Sequence, residues 1–116
     1  MIYELYDSIP FGVIVLEDNY LNIAYLNKKA TKLLNIDEDS NYDKHESLNF
    51  LRDYNDTIRS CYMQHREAIL TEVEIIRNRF FTITVSNCEN NIVLYIQETT
   101  EEVVKNKRTI EKINLD

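Results

Sequence analysis

The sequence predicts an α+β domain whose elements run two strands, helices, three strands, then a C-terminal helix. Three observations carry that expectation. Phe11 to Leu26 holds two short apolar and aromatic runs around Glu17-Asp18-Asn19. Leu51, Tyr54, Ile58, Cys61, Tyr62 and His65 recur every three or four residues, the period of one helix stripe. Residues 68–98 then switch to period two, the signature of strands with one face buried.

Taken in order, Ile2 to Tyr6 reads as a short helical turn ended by Pro10, with Ile2, Leu5 and Tyr6 placed to cover a sheet face. Strands are expected at about Val13 to Leu16 and Leu21 to Leu26. Asn27 is an N-cap residue for a helix over Lys28 to Leu34, with Ala30, Leu33 and Leu34 inward. Asn35 to Ser47 is polar and irregular, and the next helix ends near Arg66. Three strands follow at Ala68 to Ile76, Arg79 to Ser86 and Asn91 to Glu98. In the first, Ile69, Val73 and Ile75 alternate with Leu70, Glu72 and Glu74; in the second, Phe81, Ile83 and Val85 alternate with Phe80, Thr82 and Thr84. The connections Arg77-Asn78 and Asn87 to Asn90 are short and Asn-rich, as antiparallel hairpins require.

Composition bounds the class. A chain of 116 residues with 44% apolar content, 8 Tyr and 4 Phe has material for one core. No apolar run approaches the roughly 20 residues of a membrane helix. The opening MIYELYDSIP has neither the basic region nor the apolar core of a secretory signal. A cytoplasmic domain is therefore expected, native or excised from a longer protein. Cys61 and Cys88 have no close pairing motif and fit a reducing compartment.

The net charge of -7 is concentrated, with Asp37, Glu38, Asp39, Asp43, Glu46, Asp53 and Asp56 set against Lys44 and Arg52. Such a surface repels phosphate backbones, so nucleic acid is not an expected partner. It reads as a solvated loop and helix face; as a calcium loop it lacks the EF-hand spacing and the central Gly. His45 lies in that acidic loop and reads as a surface residue.

The stretch Phe11 to Asn35 resembles the start of a PAS sensory domain. Gly12 precedes the first strand, Glu17-Asp18-Asn19 is the acidic turn, and Asn27 ends the second strand. Asn35 stands where the family closes its short helix with Gly, and Asn is the next best residue in a left-handed cap. At the far end, Glu98-Thr99-Thr100-Glu101 is similar to the family's Asp-Ile-Thr-Glu junction, keeping Thr100 and Glu101. The resemblance implies one five-stranded antiparallel sheet around a small cavity, with helices on one face. It also implies a sensory and dimerisation module of a prokaryotic two-component or related signalling protein. An effector in the same or a partner chain follows, such as a histidine kinase or a cyclic-dinucleotide enzyme. Residues 1–100 would be the sensory domain and 101–116 the start of a signalling helix, with Glu98, Thr100 and Glu101 as the relay.

Catalysis finds little support in the residues. A single Gly excludes glycine-rich phosphate loops. Cys61 and His65, four apart, could share a helix face as two metal ligands or a thiolate pair, but no further Cys or His is near. The resemblance admits haem on His65, or a small organic ligand; the string Leu48-Asn49-Phe50-Leu51-Arg52 lacks the Cys of the flavin-photochemical branch. A cavity would draw its lining from Val15, Tyr25, Leu51, Tyr54, Ile58, Tyr62, His65, Phe81, Ile83 and Tyr95. The bulk of these side chains favours a filled or nearly filled core, and action through association rather than chemistry. A homodimer could form through Ile2, Leu5 and Tyr6, or through Val103 and Ile110 on a terminal coiled-coil seam interrupted by Asn106. The same terminal helix could instead pack back on its own domain. A small α+β ligand-binding or enzymatic domain with a polar cavity is the alternative of a different class.

Overall fold

The computed structural model describes residues 2–17, 22–36, 46–88 and 90–105, with side chains described from Leu5 onward and residue 46 excepted. A 3-10 turn over Ile2–Ser8 leads into β1 (Gly12–Glu17) and β2 (Asn22–Leu26), followed by α1 (Lys28–Leu33). Two helices, α2 (Phe50–Asp53) and α3 (Asn55–Gln64), precede β3 (Ala68–Ile76), β4 (Arg79–Cys88) and β5 (Asn91–Glu98). A last helix, α4, runs over 100–105. The five strands form one antiparallel sheet in the order β2-β1-β5-β4-β3. The expected α+β order is therefore the observed one.

The sheet has two differently covered faces. On the inner face, Ile14, Leu16, Phe81, Ile83, Val85, Ile92, Leu94 and Ile96 pack with Ala30, Leu34, Phe50, Ile58 and Cys61 of the helices. On the outer face, Val13, Val15 and Val93 are buried beneath Tyr6, Ile9, Ala24, Tyr25 and Tyr95. β1 is thus buried from both sides, which is why its sequence is a continuous apolar run rather than an alternation.

Local chemistry sets the element ends. The Oδ1 of Asn27 accepts from the Ala30 N–H at 2.8 Å and caps α1. Asn35 takes φ 54, and the Asn35 and Ile36 N–H groups donate to the Lys32 and Thr31 carbonyls at 3.3 and 2.9 Å. That is a Schellman closure with Asn in the glycine place, as expected. Gly12 sits where a Cβ would lie 3.1 Å from the Ala30 Cα and 3.2 Å from the Leu33 Cδ1. β1 and α1 approach this closely only because the side chain is absent.

Four expectations are corrected here. The helical stripe is not continuous: it breaks at Tyr54 into α2 and α3. α3 closes at His65, whose left-handed backbone (φ 50, ψ 48) takes its side chain off the stripe and into solvent. In β3 the pairing shifts between Leu70 and Val73, and Glu72 adopts φ 54. This bulge turns both Leu70 and Val73 to the core and leaves Ile69 67% exposed, instead of Ile69 and Val73 sharing a face. Leu5 is also 67% exposed, so Tyr6 and Ile9, not Leu5, cover the sheet. Asp18, Asn19, residues 37–45, Asn106 and Ile110 lie outside the described residues, as does the Ile2 side chain.

Candidate functional site

Two of the candidate relay residues, Glu98 and Thr100, meet at the end of the sheet where β5 becomes α4. The Arg79 guanidinium grips both carboxylate oxygens of Glu98, Nε to Oε2 at 3.1 Å and Nη2 to Oε1 at 2.9 Å. The same Nη2 donates to the Leu33 carbonyl at the end of α1, 3.1 Å away. Fork-to-fork pairing of this kind fixes orientation as well as charge. It holds the Glu98 carboxyl below the usual carboxylate range, with a smaller contribution from the Thr100 hydroxyl, and it raises Arg79 further.

Thr100 joins the two strands to the helix. Its Oγ1 accepts from the Phe80 N–H at 2.9 Å and donates to Glu98 Oε2 at 2.9 Å. The Thr99 N–H donates to the Phe80 carbonyl at 2.8 Å. Val103, one turn into α4, is 5% exposed. α4 therefore packs back on its own domain over the described residues, and Val103 is not available as a seam position. Glu101 is exposed and Val104 half-buried.

At the same end of the sheet, beside the start of β1, Asn27 is wholly buried and fully used. Its Nδ2 donates to the Tyr6 and Phe11 carbonyls, each at 2.9 Å, and its Oδ1 accepts from the Val13 and Ala30 N–H groups at 2.9 and 2.8 Å. Asp7 adds a second link, accepting from the Tyr25 hydroxyl at 2.7 Å and the Lys28 N–H at 3.0 Å. The Lys28 N–H first, and then the Tyr25 hydroxyl, lower the Asp7 pKa. These bonds strap the N-terminal turn to the outer side of the β2–α1 corner. Sequence reading found Asn27 as a cap but not as this hub, and nothing in the local pattern marked Asp7 or Arg79.

The ten expected cavity residues do not form one site. Leu51, Tyr54, Ile58, Tyr62, Phe81 and Ile83 belong to the inner cluster. Val15, Tyr25 and Tyr95 lie on the outer face, because residues next to inward Ile14 and Leu94 must point the other way. His65 is exposed on its left-handed turn while Cys61 is buried, so they share no face and His65 does not fit a haem ligand inside the domain. Burial pushes the Cys61 thiol up, away from the thiolate that a metal or a nucleophile requires. Among the described residues no three His, Cys, Asp or Glu side chains converge as a metal site would need.

A groove of roughly 300 Å3 does open on the outer face, lined by Ile9, Phe11, Thr82, Thr84, Tyr95 and Gln97. Of these, only Tyr95 was among the expected lining residues. Burial raises the Tyr95 phenol above its ordinary value, with smaller contributions from Cys88 and Glu67. No helix of the described residues is long and apolar enough to cross a membrane.

A family model described as the PAS domain matches residues 1–71, and no curated protein matches the chain. That match covers β1, β2 and all the helices before β3, and the sheet those elements join has the five antiparallel strands that the resemblance implies. The chain belongs to the PAS domain family.

Proposed function

We propose that this domain is the sensory input and dimerisation module of a prokaryotic signal-transduction protein and catalyses no reaction itself. PAS domains are sensory and signalling modules. Here the input domain spans residues 1–100, and residues 101–116 begin a helix leading to an effector such as a histidine kinase or a cyclic-dinucleotide enzyme, in the cytoplasm.

The observation that carries this reading is the Arg79–Glu98–Thr100 junction, which ties the end of α1, the β4–β5 pair and the start of α4 together within a few ångströms. A change in how the sheet packs on its helices alters the Leu33 carbonyl or the Phe80 backbone. Either change reaches the first turn of α4 through one hydrogen-bonded group. A signal acts if it binds one arrangement of that junction more tightly than the other.

For the dimer, among the expected candidates whose side chains are described, Leu5 is exposed, whereas Tyr6 packs on its own sheet and Val103 is buried. Native mass spectrometry at rising protein concentration tests both parts of the reading. A dimer, with or without added mass, supports it. A ligand-free monomer at every concentration overturns the module as proposed.

A further inference from the structure

We propose that the outer-face groove binds a neutral, planar aromatic molecule carrying a hydrogen-bonding edge. Its roughly 300 Å3 is at the lower end of small-ligand sites and accommodates one or two rings. The side chains of Ile9, Phe11 and Tyr95 supply apolar and aromatic wall, the surface on which a planar ring stacks. None of the six lining residues carries a charge at neutral pH, and burial keeps the Tyr95 phenol protonated, so a charged guest would find no counter-ion there.

The polar groups point to the edge. Among the described residues the Thr84 hydroxyl, the Tyr95 hydroxyl and the Gln97 amide make no hydrogen bond to protein, although the sheet register brings Tyr95 directly opposite Thr84 and Gln97 opposite Thr82. Two strands thus present donors and acceptors side by side in an otherwise apolar recess, the arrangement that orients a small molecule. This face of the sheet is opposite the helices and separate from the inner cluster.

The site also adjoins the output junction. The Thr82 hydroxyl lies 3.4 Å from that of Thr99, one residue before α4. A bound molecule would therefore bear on the junction; that coupling rests on the function proposed above, whereas binding does not.

The test is a titration of the intact chain with indole and with benzamide, followed by backbone amide shifts. Saturable shifts at Phe11, Thr84, Tyr95 and Gln97, with Tyr54 and Ile58 unmoved, are expected for at least one probe. Thr84→Val keeps the shape and removes a hydroxyl, and exposed Gln97→Ala removes the amide; each should weaken binding about five-fold, the loss of one hydrogen bond. Shifts centred on Tyr54 and Ile58 would move the site to the inner face and overturn the proposal. So would an absence of saturation with both probes, or the same outer amides shifting on concentration alone, which would assign the groove to a second copy of the chain.

Discussion

Glu98 receives two hydrogen bonds from the Arg79 guanidinium, at 3.1 and 2.9 Å, while one of the same Arg79 nitrogens reaches the Leu33 carbonyl on α1. One side chain therefore connects the last strand, the hairpin before it and a helix from the first half of the chain. Arg79→Lys keeps the charge but not the fork, and it cannot make all three bonds with one planar group. Hydrogen exchange at residues 100–105 should quicken in Arg79→Lys and more so in Arg79→Ala, with little change in β1. Unchanged protection of α4 would show that the junction does not hold the helix.

The same pair gives a pH dependence of known sign. Arg79 lowers the folded-state pKa of Glu98 below its unfolded value. Its contribution is therefore complete above the unfolded carboxylate range and is lost as pH falls through the folded value. The pair is partly exposed, its side chains 29% and 32% accessible, so the effect is modest and screened by salt. Thermal melts between neutral pH and pH about 3 should show a larger loss in the wild type than in Glu98→Gln. Parallel losses would mean that other carboxylates dominate acid unfolding.

Asn27 should be among the least replaceable polar residues in the chain. Asn27→Ala strips partners from the Tyr6 and Phe11 carbonyls and the Val13 and Ala30 N–H groups at once, in a site with no exposure. With two or more groups left unsatisfied, a destabilisation of about 3 kcal/mol is expected. Chemical denaturation measures it. A loss below about 1 kcal/mol would mean that water or a local shift replaces the side chain.

What the residues reveal follows from which physical signal each position carries. β3 and β5 are found at their observed bounds because alternation and Asn-rich turns act over neighbouring residues. Asn27 and Asn35 are found because capping chemistry is local too. The facing of β1 is not legible: in Gly12–Glu17 both faces are apolar, so period two cannot separate inward Ile14 from outward Val15. His65 is misplaced because a left-handed cap ends the helical period without changing residue type. The groove escapes notice because Thr82, Thr84 and Gln97 read as an ordinary solvent face, and only the cover given by Ile9 and Phe11 makes a recess of them.

Two of the four left-handed non-glycine positions among the described residues, Asn35 and Glu72, carry predictions of opposite sign. Asn35 sits at φ 54 and Glu72 at φ 54, where a side chain with a Cβ is strained by roughly 1 kcal/mol and Asn less than others. Glu72→Gly should therefore leave stability unchanged or raise it by up to about 1 kcal/mol, despite the entropy glycine adds to the unfolded chain. Asn35→Ala should lower it by about 1 kcal/mol. Reversal of either sign by denaturant titration would place the strain elsewhere.

The β3 bulge makes a sharper prediction, because it reverses which of two adjacent aliphatic residues matters. Ile69 pairs with Thr84 and is 67% exposed, whereas Leu70 pairs with Ile83 and packs on the inner cluster. A strand in uninterrupted alternation with Val73 inward would put Ile69 in the core and Leu70 in solvent. With the bulge, Leu70→Ala removes core contacts and should cost about 2 kcal/mol, while Ile69→Thr, an exposed change between β-formers, should cost under about 0.5 kcal/mol. If Ile69→Thr proves the more damaging, the pairing of β3 with β4 is one residue out, with Ile69 inward and Leu70 in solvent, while Thr84 keeps its outward facing through its pairing with Tyr95 on β5.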